Sequence, residues 1–90
     1  MTKAELIKAL AARTGMSQRA AADMLTALID IVVEAVKNGE PVRIAGLGKF
    51  ERRLRKGGAR KVPKQDRIVH VPDKYVPVFR PAKAFREAVK

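Results

Sequence analysis

RRLRKGGARKVPKQDRIVHVPDK, residues 52–74, is the stretch that decides the fold. Arg52, Arg53, Arg55, Lys56, Arg60, Lys61 and Lys64 all come before its first acid, Asp66. More than twenty residues here offer few groups able to pack a core, and an excursion of that length in a small domain is functional or disordered. The seven basic residues favour function. Apolar alternation enters the stretch from Phe50 through Arg52 and Leu54, and leaves it at Ile68 to Val71. The far ends of two strands therefore form a long hairpin with Pro63 at its tip. Like charges destabilise an isolated ribbon, and phosphate groups would relieve that repulsion. A two-stranded ribbon of this kind fits a DNA groove.

Outward from the hairpin, the flanking segments alternate or repeat as ordinary secondary structure. Thr2 and Glu5 make a capping-box pair ahead of Leu6, Ile7 and Leu10, and Gly15 ends that helix. Ser17 is the N-cap of a second helix reaching Asn38, with Gly39 as its stop. Its apolar stripe broadens between Met24 and Val36 to most of the surface, more than one short helix covers, so a second chain is expected. Val42 and Ile44 alternate with Arg43 and Ala45 as a strand, and Gly46-Leu47-Gly48 is a turn. The returning strand runs from Ile68 to Val71 and again from Tyr75 to Arg80. Pro72 and Pro77 place it at an edge or require bulges. Pro81 fits the first turn of a last helix, Ala82 to Val89. The expected order is α-α-β-β-β-α, an α+β chain.

Composition narrows the function. Ninety residues make one small domain, and 47% apolar content argues against disorder. The apolar set is rich in Ala and Val, so dimerisation is the expected remedy for a marginal core. The net charge is +11. Residues 1–48 hold six basic and five acidic residues, whereas residues 49–90 hold fourteen and four. A near-neutral scaffold thus carries a strongly basic surface, and nucleic acid is the default polyanion. No cysteine is present, which removes disulfides and thiolate metal sites. His70 is alone and reads as a surface histidine, so no metal, cofactor or small-molecule substrate is expected. No general-base pair assembles, so no catalytic residue is expected and the chain does not read as an enzyme. Ala9-Leu10-Ala11-Ala12 is the longest apolar run, far short of a membrane span of about 20 residues. Glu5 and Lys8 interrupt any signal-peptide core. The expected location is cytoplasmic.

The ordered series MTKAELI, Gly39-Glu40-Pro41-Val42, Gly46-Leu47-Gly48-Lys49-Phe50-Glu51, Pro63 and Val76-Pro77-Val78-Phe79-Arg80-Pro81-Ala82-Lys83 resembles the bacterial histone-like HU and integration-host-factor family of DNA-bending proteins. The resemblance covers essentially the whole chain. It implies an intertwined dimer, homodimeric or heterodimeric, with a mainly helical body and two long β-ribbon arms in the minor groove of double-stranded DNA. Residues 1–51 and 75–90 would form the body of a single domain and residues 52–74 the arm. Nucleoid association and DNA compaction follow as expectations.

Site residues are assigned on that basis. Pro63 is the wedge that enters an unstacked base step, since it brings no N–H to leave unpaired. Arg53, Arg55, Arg60, Lys61 and Lys64 are candidates for minor-groove and phosphate contact. Lys3, Arg80, Lys83 and Arg86 would extend the DNA path over the body. Gly46 and Gly48 would offer backbone N–H groups to phosphate, or serve only the tight turn. The plain alternative for each basic residue is solvated surface charge. Leu47, Phe50, Phe79 and the apolar face of residues 24–36 read as dimer core.

The chain also departs from the family pattern. Val62-Pro63-Lys64-Gln65-Asp66 stands where the family has Asn-Pro-x-Thr-Gly, and Ala82 replaces the glycine before Lys83. Gly58, Arg60 and Lys61 redistribute the arm's usual Arg, Gly and Arg. Two rival functions compete with sequence-tolerant bending. One is an integration-host-factor-like subunit recognising particular bent sites, to which Lys74-Tyr75-Val76-Pro77 is similar. The other is an RNA-binding basic protein, which the lack of surface aromatic platforms disfavours.

Overall fold

The computed structural model describes residues 1–62 and 67–90, with residues 60–62 and 67 described by their backbone alone. Pro63 and Lys64, the expected wedge and a candidate phosphate contact, lie outside the described residues. The chain forms an α+β fold of two compact units, Met1–Glu34 and Ala35–Lys90.

The first unit is helical. Helix α1 spans Lys3–Thr14, and the Thr2 side chain accepts the Glu5 backbone N–H at 3.3 Å, as the capping pair requires. Gly15 closes it in the left-handed region, with its N–H on the Ala11 carbonyl. Helix α2 spans Gln18–Lys37 and carries on into the second unit. Ser17 caps it by accepting the Ala20 N–H at 3.0 Å. Ala21 is buried, whereas Met24, Leu28, Ile29, Ile31 and Val33 are all exposed, Ile31 by 63%. Much of the helix's apolar surface is thus bare in the single chain.

In the second unit α2 ends at Lys37, and the Asn38 and Gly39 N–H groups turn back onto the Ala35 and Val36 carbonyls. Strand β1 spans Val42–Ile44, β2 Gly48–Arg55, β3 Gly58–Val62, β4 Arg67–Val71 and β5 Lys74–Pro81. Three of them form an antiparallel sheet in the order β1-β2-β5, and β3 pairs with β4 as a two-stranded ribbon. The hairpin expected from the sequence is present, but each long strand divides in two. The break falls at Lys56-Gly57 on one side and Pro72-Asp73 on the other. Asp73 takes the Gly57 N–H on its carboxylate at 2.8 Å, replacing a ladder bond with a side-chain one. Gly57 is required there, because a Cβ would overlap the Val71 carbonyl. Pro77 sits on β5, an edge of the sheet, as a strand proline must.

One expectation is corrected at the end of the chain. Pro81 does not open the last helix; it closes β5 opposite Gly48. The Ala82 N–H donates to the Leu47 carbonyl at 2.9 Å and holds Ala82 extended, so α3 starts one residue later and spans Lys83–Ala88.

Candidate nucleic-acid interface

Directly paired residues in an antiparallel sheet project to the same side, and alternate residues to opposite sides. The register therefore sorts the sheet into two faces. One carries Val42, Ile44, Phe50, Leu54, Tyr75 and Phe79, with Arg52 as its one charged member. Phe50 and Phe79 are opposite each other, their ring centroids 4.8 Å apart and tilted by 40°. Tyr75 and Phe79 remain 56% and 41% exposed, a second stretch of uncovered apolar surface.

The other face is basic. It carries Arg43, Lys49, Arg53, Arg55, Lys74 and Arg80, with Val76, Val78 and a single acid, Glu51. Arg43 pairs with Lys49 and Lys49 with Arg80, so three cations form one row across all three strands. Like charges placed opposite each other are unfavourable, and an anion on this face removes the penalty. Glu51 offsets part of it. Its carboxylate accepts the Arg80 Nε–H at 2.7 Å and meets Lys49 Nζ at 3.0 Å. The hydrogen bond from Lys49 lowers the Glu51 pKa most, the charges of Lys49 and Arg80 and the Arg80 hydrogen bond add to it, and partial desolvation opposes. Glu51 is therefore a carboxylate at neutral pH. An open groove of about 550 Å³ at this end of the sheet is lined by Arg43, Ile44, Ala45, Gly48, Lys49, Arg80, Pro81 and Ala82.

The expected site residues fall into several groups. Arg53 and Arg55 lie on the basic face of β2 and are exposed, and Arg80 shares that face from β5. Lys83 and Arg86 lie one turn apart on α3, both exposed, directly after that strand. Arg60 and Lys61 occupy β3 at the positions facing Val69 and Ile68. Gly46 holds the β1–β2 turn at φ 85° with open space around its Cα. Gly48 is buried instead. A Cβ there would come within 2.5 Å of the Arg80 carbonyl oxygen and 2.6 Å of the Phe79 ring. Gly48 therefore allows β2 and β5 to pack closely at this position. Lys3 belongs to the first unit, where its Nζ donates to Thr26 Oγ1 at 3.4 Å.

Arg43, Lys49 and Lys74 share the face but were not among the sequence candidates. Their signal is parity. Arg43 alternates with Val42 and Ile44, yet only the strand register aligns it with Lys49 and Arg80. Among the described residues no three His, Asp or Glu gather as a metal site, and no helix is long and apolar enough to cross a membrane.

The bacterial DNA-binding protein family matches residues 1–90. The DNA-binding protein HU of Geobacillus stearothermophilus is 37% identical over 90 residues, covering all of both chains. HU of a Nostoc species is 37% identical over 89 residues, 99% of this chain and 95% of that one. Among solved structures, an Anabaena HU–DNA cocrystal gives a TM-score of 0.88 at 37% identity over 99% of this chain and 97% of its own. HU from Thermotoga maritima gives 0.71 at 29% identity, with both chains fully covered. With whole-length matches in both sequence and fold, and a basic sheet face continued by a ribbon, the chain belongs to the bacterial HU and integration-host-factor family of architectural DNA-binding proteins.

Proposed function

We propose that two copies of this chain form a homodimer that binds double-stranded DNA with little sequence preference and bends it. The observation that carries this reading is the row Arg43–Lys49–Arg80, continued along the same face by Arg53, Arg55 and Lys74. Those charges lie on hydrogen-bonded strands, with Arg53, Arg55 and Lys74 at the base of the ribbon. Phosphate contacts fix a protein's position on a duplex without reading its sequence, and this face offers six cations for such contacts. Residues 52–74 act as an arm that enters the minor groove, with Arg60, Lys61 and Lys64 along it. Pro63 is the wedge between base pairs. Lys3, Lys83 and Arg86 extend the duplex path, and Gly46 brings backbone close to a phosphate. Such a protein works in the cytoplasm on the nucleoid and compacts the chromosome.

The dimer follows from bare apolar surface. Ile31, Val33, Tyr75 and Phe79 are each at least 41% exposed, more than a stable small domain leaves uncovered on its own. A second copy of the same chain supplies matching surface by two-fold symmetry.

A duplex labelled at both ends for energy transfer tests the bending. Wild-type protein is expected to shorten the end-to-end distance, and Pro63→Ala to restore much of it with a smaller loss of affinity. Equal distances with and without saturating wild-type protein would overturn the bending. An unchanged bend in Pro63→Ala would overturn the wedge.

A further inference from the structure

Arg52 stands apart from the other arm-base cations, because its side chain is already engaged on the apolar side of the sheet. Its Nη1 donates to the Lys37 carbonyl at 3.0 Å. The two preceding carbonyls of α2, of Ala35 and Val36, are taken by local N–H groups from Asn38, Gly39 and Glu40. The Lys37 carbonyl, next in the series, is reached from β2. The positive guanidinium thereby sits at the negative end of a twenty-residue helix. On its other side the guanidinium carbon lies 3.7 Å from the centroid of the Tyr75 ring, a cation–π stack across the β2–β5 pair. Gly39 completes the fit. It turns at φ 83°, and a Cβ there would come within 3.0 Å of Arg52 Nη2.

Three elements thus meet on one side chain: the end of α2, strand β2 at the base of the hairpin, and β5 where the hairpin returns. We propose that Arg52 is a positioning residue that fixes the direction in which the ribbon leaves the sheet, and that it does not touch phosphate. A lysine in its place lacks the planar fork that donates to a carbonyl while stacking on a ring. The inference rests on duplex binding through the ribbon, but its structural part is tested without DNA.

Spin labels at Asn38→Cys and Ala59→Cys, in a chain with no native cysteine, report the ribbon's direction relative to the helix end. Labelled protein is diluted with unlabelled chain so that each dimer carries one pair. A narrow distance distribution is expected in the wild-type background and a broadened or shifted one in Arg52→Lys. On DNA, Arg52→Lys and Arg52→Ala are expected to lower the bend while leaving the slope of log K against log salt unchanged. Arg53→Ala should make that slope shallower by about 0.9 for each phosphate the dimer no longer neutralises. Tyr75→Phe, which keeps the ring, should behave as wild type, and Tyr75→Leu should reproduce Arg52→Lys. An identical distance distribution in Arg52→Lys would overturn the positioning role. A shallower slope in Arg52→Ala, matching Arg53→Ala, would make Arg52 a phosphate ligand instead. If wild-type protein shows no salt dependence at all, it is the DNA-binding reading that fails, and the label distances still decide the role of Arg52.

Discussion

Replacing Glu51 by Gln should tighten DNA binding and make it more sensitive to salt. Glu51 is the single acid on the basic face and holds two of its six cations, Arg80 at 2.7 Å and Lys49 at 3.0 Å. Both belong to the row that includes Arg43, so three positive charges there are offset by one negative charge. The amide keeps a carbonyl oxygen for the Arg80 Nε–H and removes only the charge, so the strand-to-strand hydrogen bond survives the change. If each chain then neutralises one more phosphate, a dimer neutralises two. The slope of log K against log salt then steepens by about 1.8, at about 0.9 per phosphate. Lowering salt fourfold, from about 200 to about 50 mM, would strengthen the variant about twelvefold more than the wild type. Fluorescence anisotropy of a labelled random duplex across that range measures both slopes, and circular dichroism confirms that the variant is folded. A folded variant whose slope is unchanged or shallower would refute the reasoning. Glu51 would then serve to order Arg80 and Lys49 for phosphate rather than compete with it.

Three further outcomes follow from the same structure. Acid should erase the stability that Glu51 contributes. Its folded pKa lies below the ordinary glutamate value, so the contribution is present above that ordinary value and is lost as pH falls through the lower folded one. The Tm gap between wild type and Glu51→Gln should therefore close on acidification, and a gap independent of pH would contradict the pairing. Gly57→Ala forces a Cβ into the Val71 carbonyl and should cost about 1–3 kcal/mol, confined to the ribbon. Hydrogen exchange should show faster amides in β3 and β4 with α1 and α2 unchanged. Ile29→Asp, on the exposed apolar surface of α2, should abolish the dimer by placing a charge in its interface. Sedimentation should show the wild type at twice 9.9 kDa and the variant as single chains with no cooperative thermal transition.

Elements written in local chemistry were legible from the sequence. Thr2 with Glu5, Ser17 and Gly39 act within four residues of themselves, and each caps or ends the helix it was expected to. Pro77 lies on an edge strand because its missing N–H allows little else. What escaped depends on strand register. The division of the ribbon needs Asp73 to reach Gly57 across the sheet, sixteen residues away in the chain. Pro81 carries a good helix-start signal, but pairing with Gly48 and the Ala82-to-Leu47 bond keep it in the strand. The basic face was half legible. Arg53 and Arg55 stand in a run of charge and Arg80 in the stretch that carries the family resemblance, whereas Arg43, Lys49 and Lys74 join them only once β1, β2 and β5 are aligned. Arg52 sits among the same basic residues, yet its parity with Phe50 turns it to the apolar side, where Tyr75 and the Lys37 carbonyl hold it.

The central claim is that this basic face and its ribbon hold the DNA backbone. The most direct measurement is the affinity of wild-type protein for a random duplex over a range of salt concentrations. A dimer that neutralises about 8 phosphates predicts a log–log slope of about −7. A slope near zero would contradict the account.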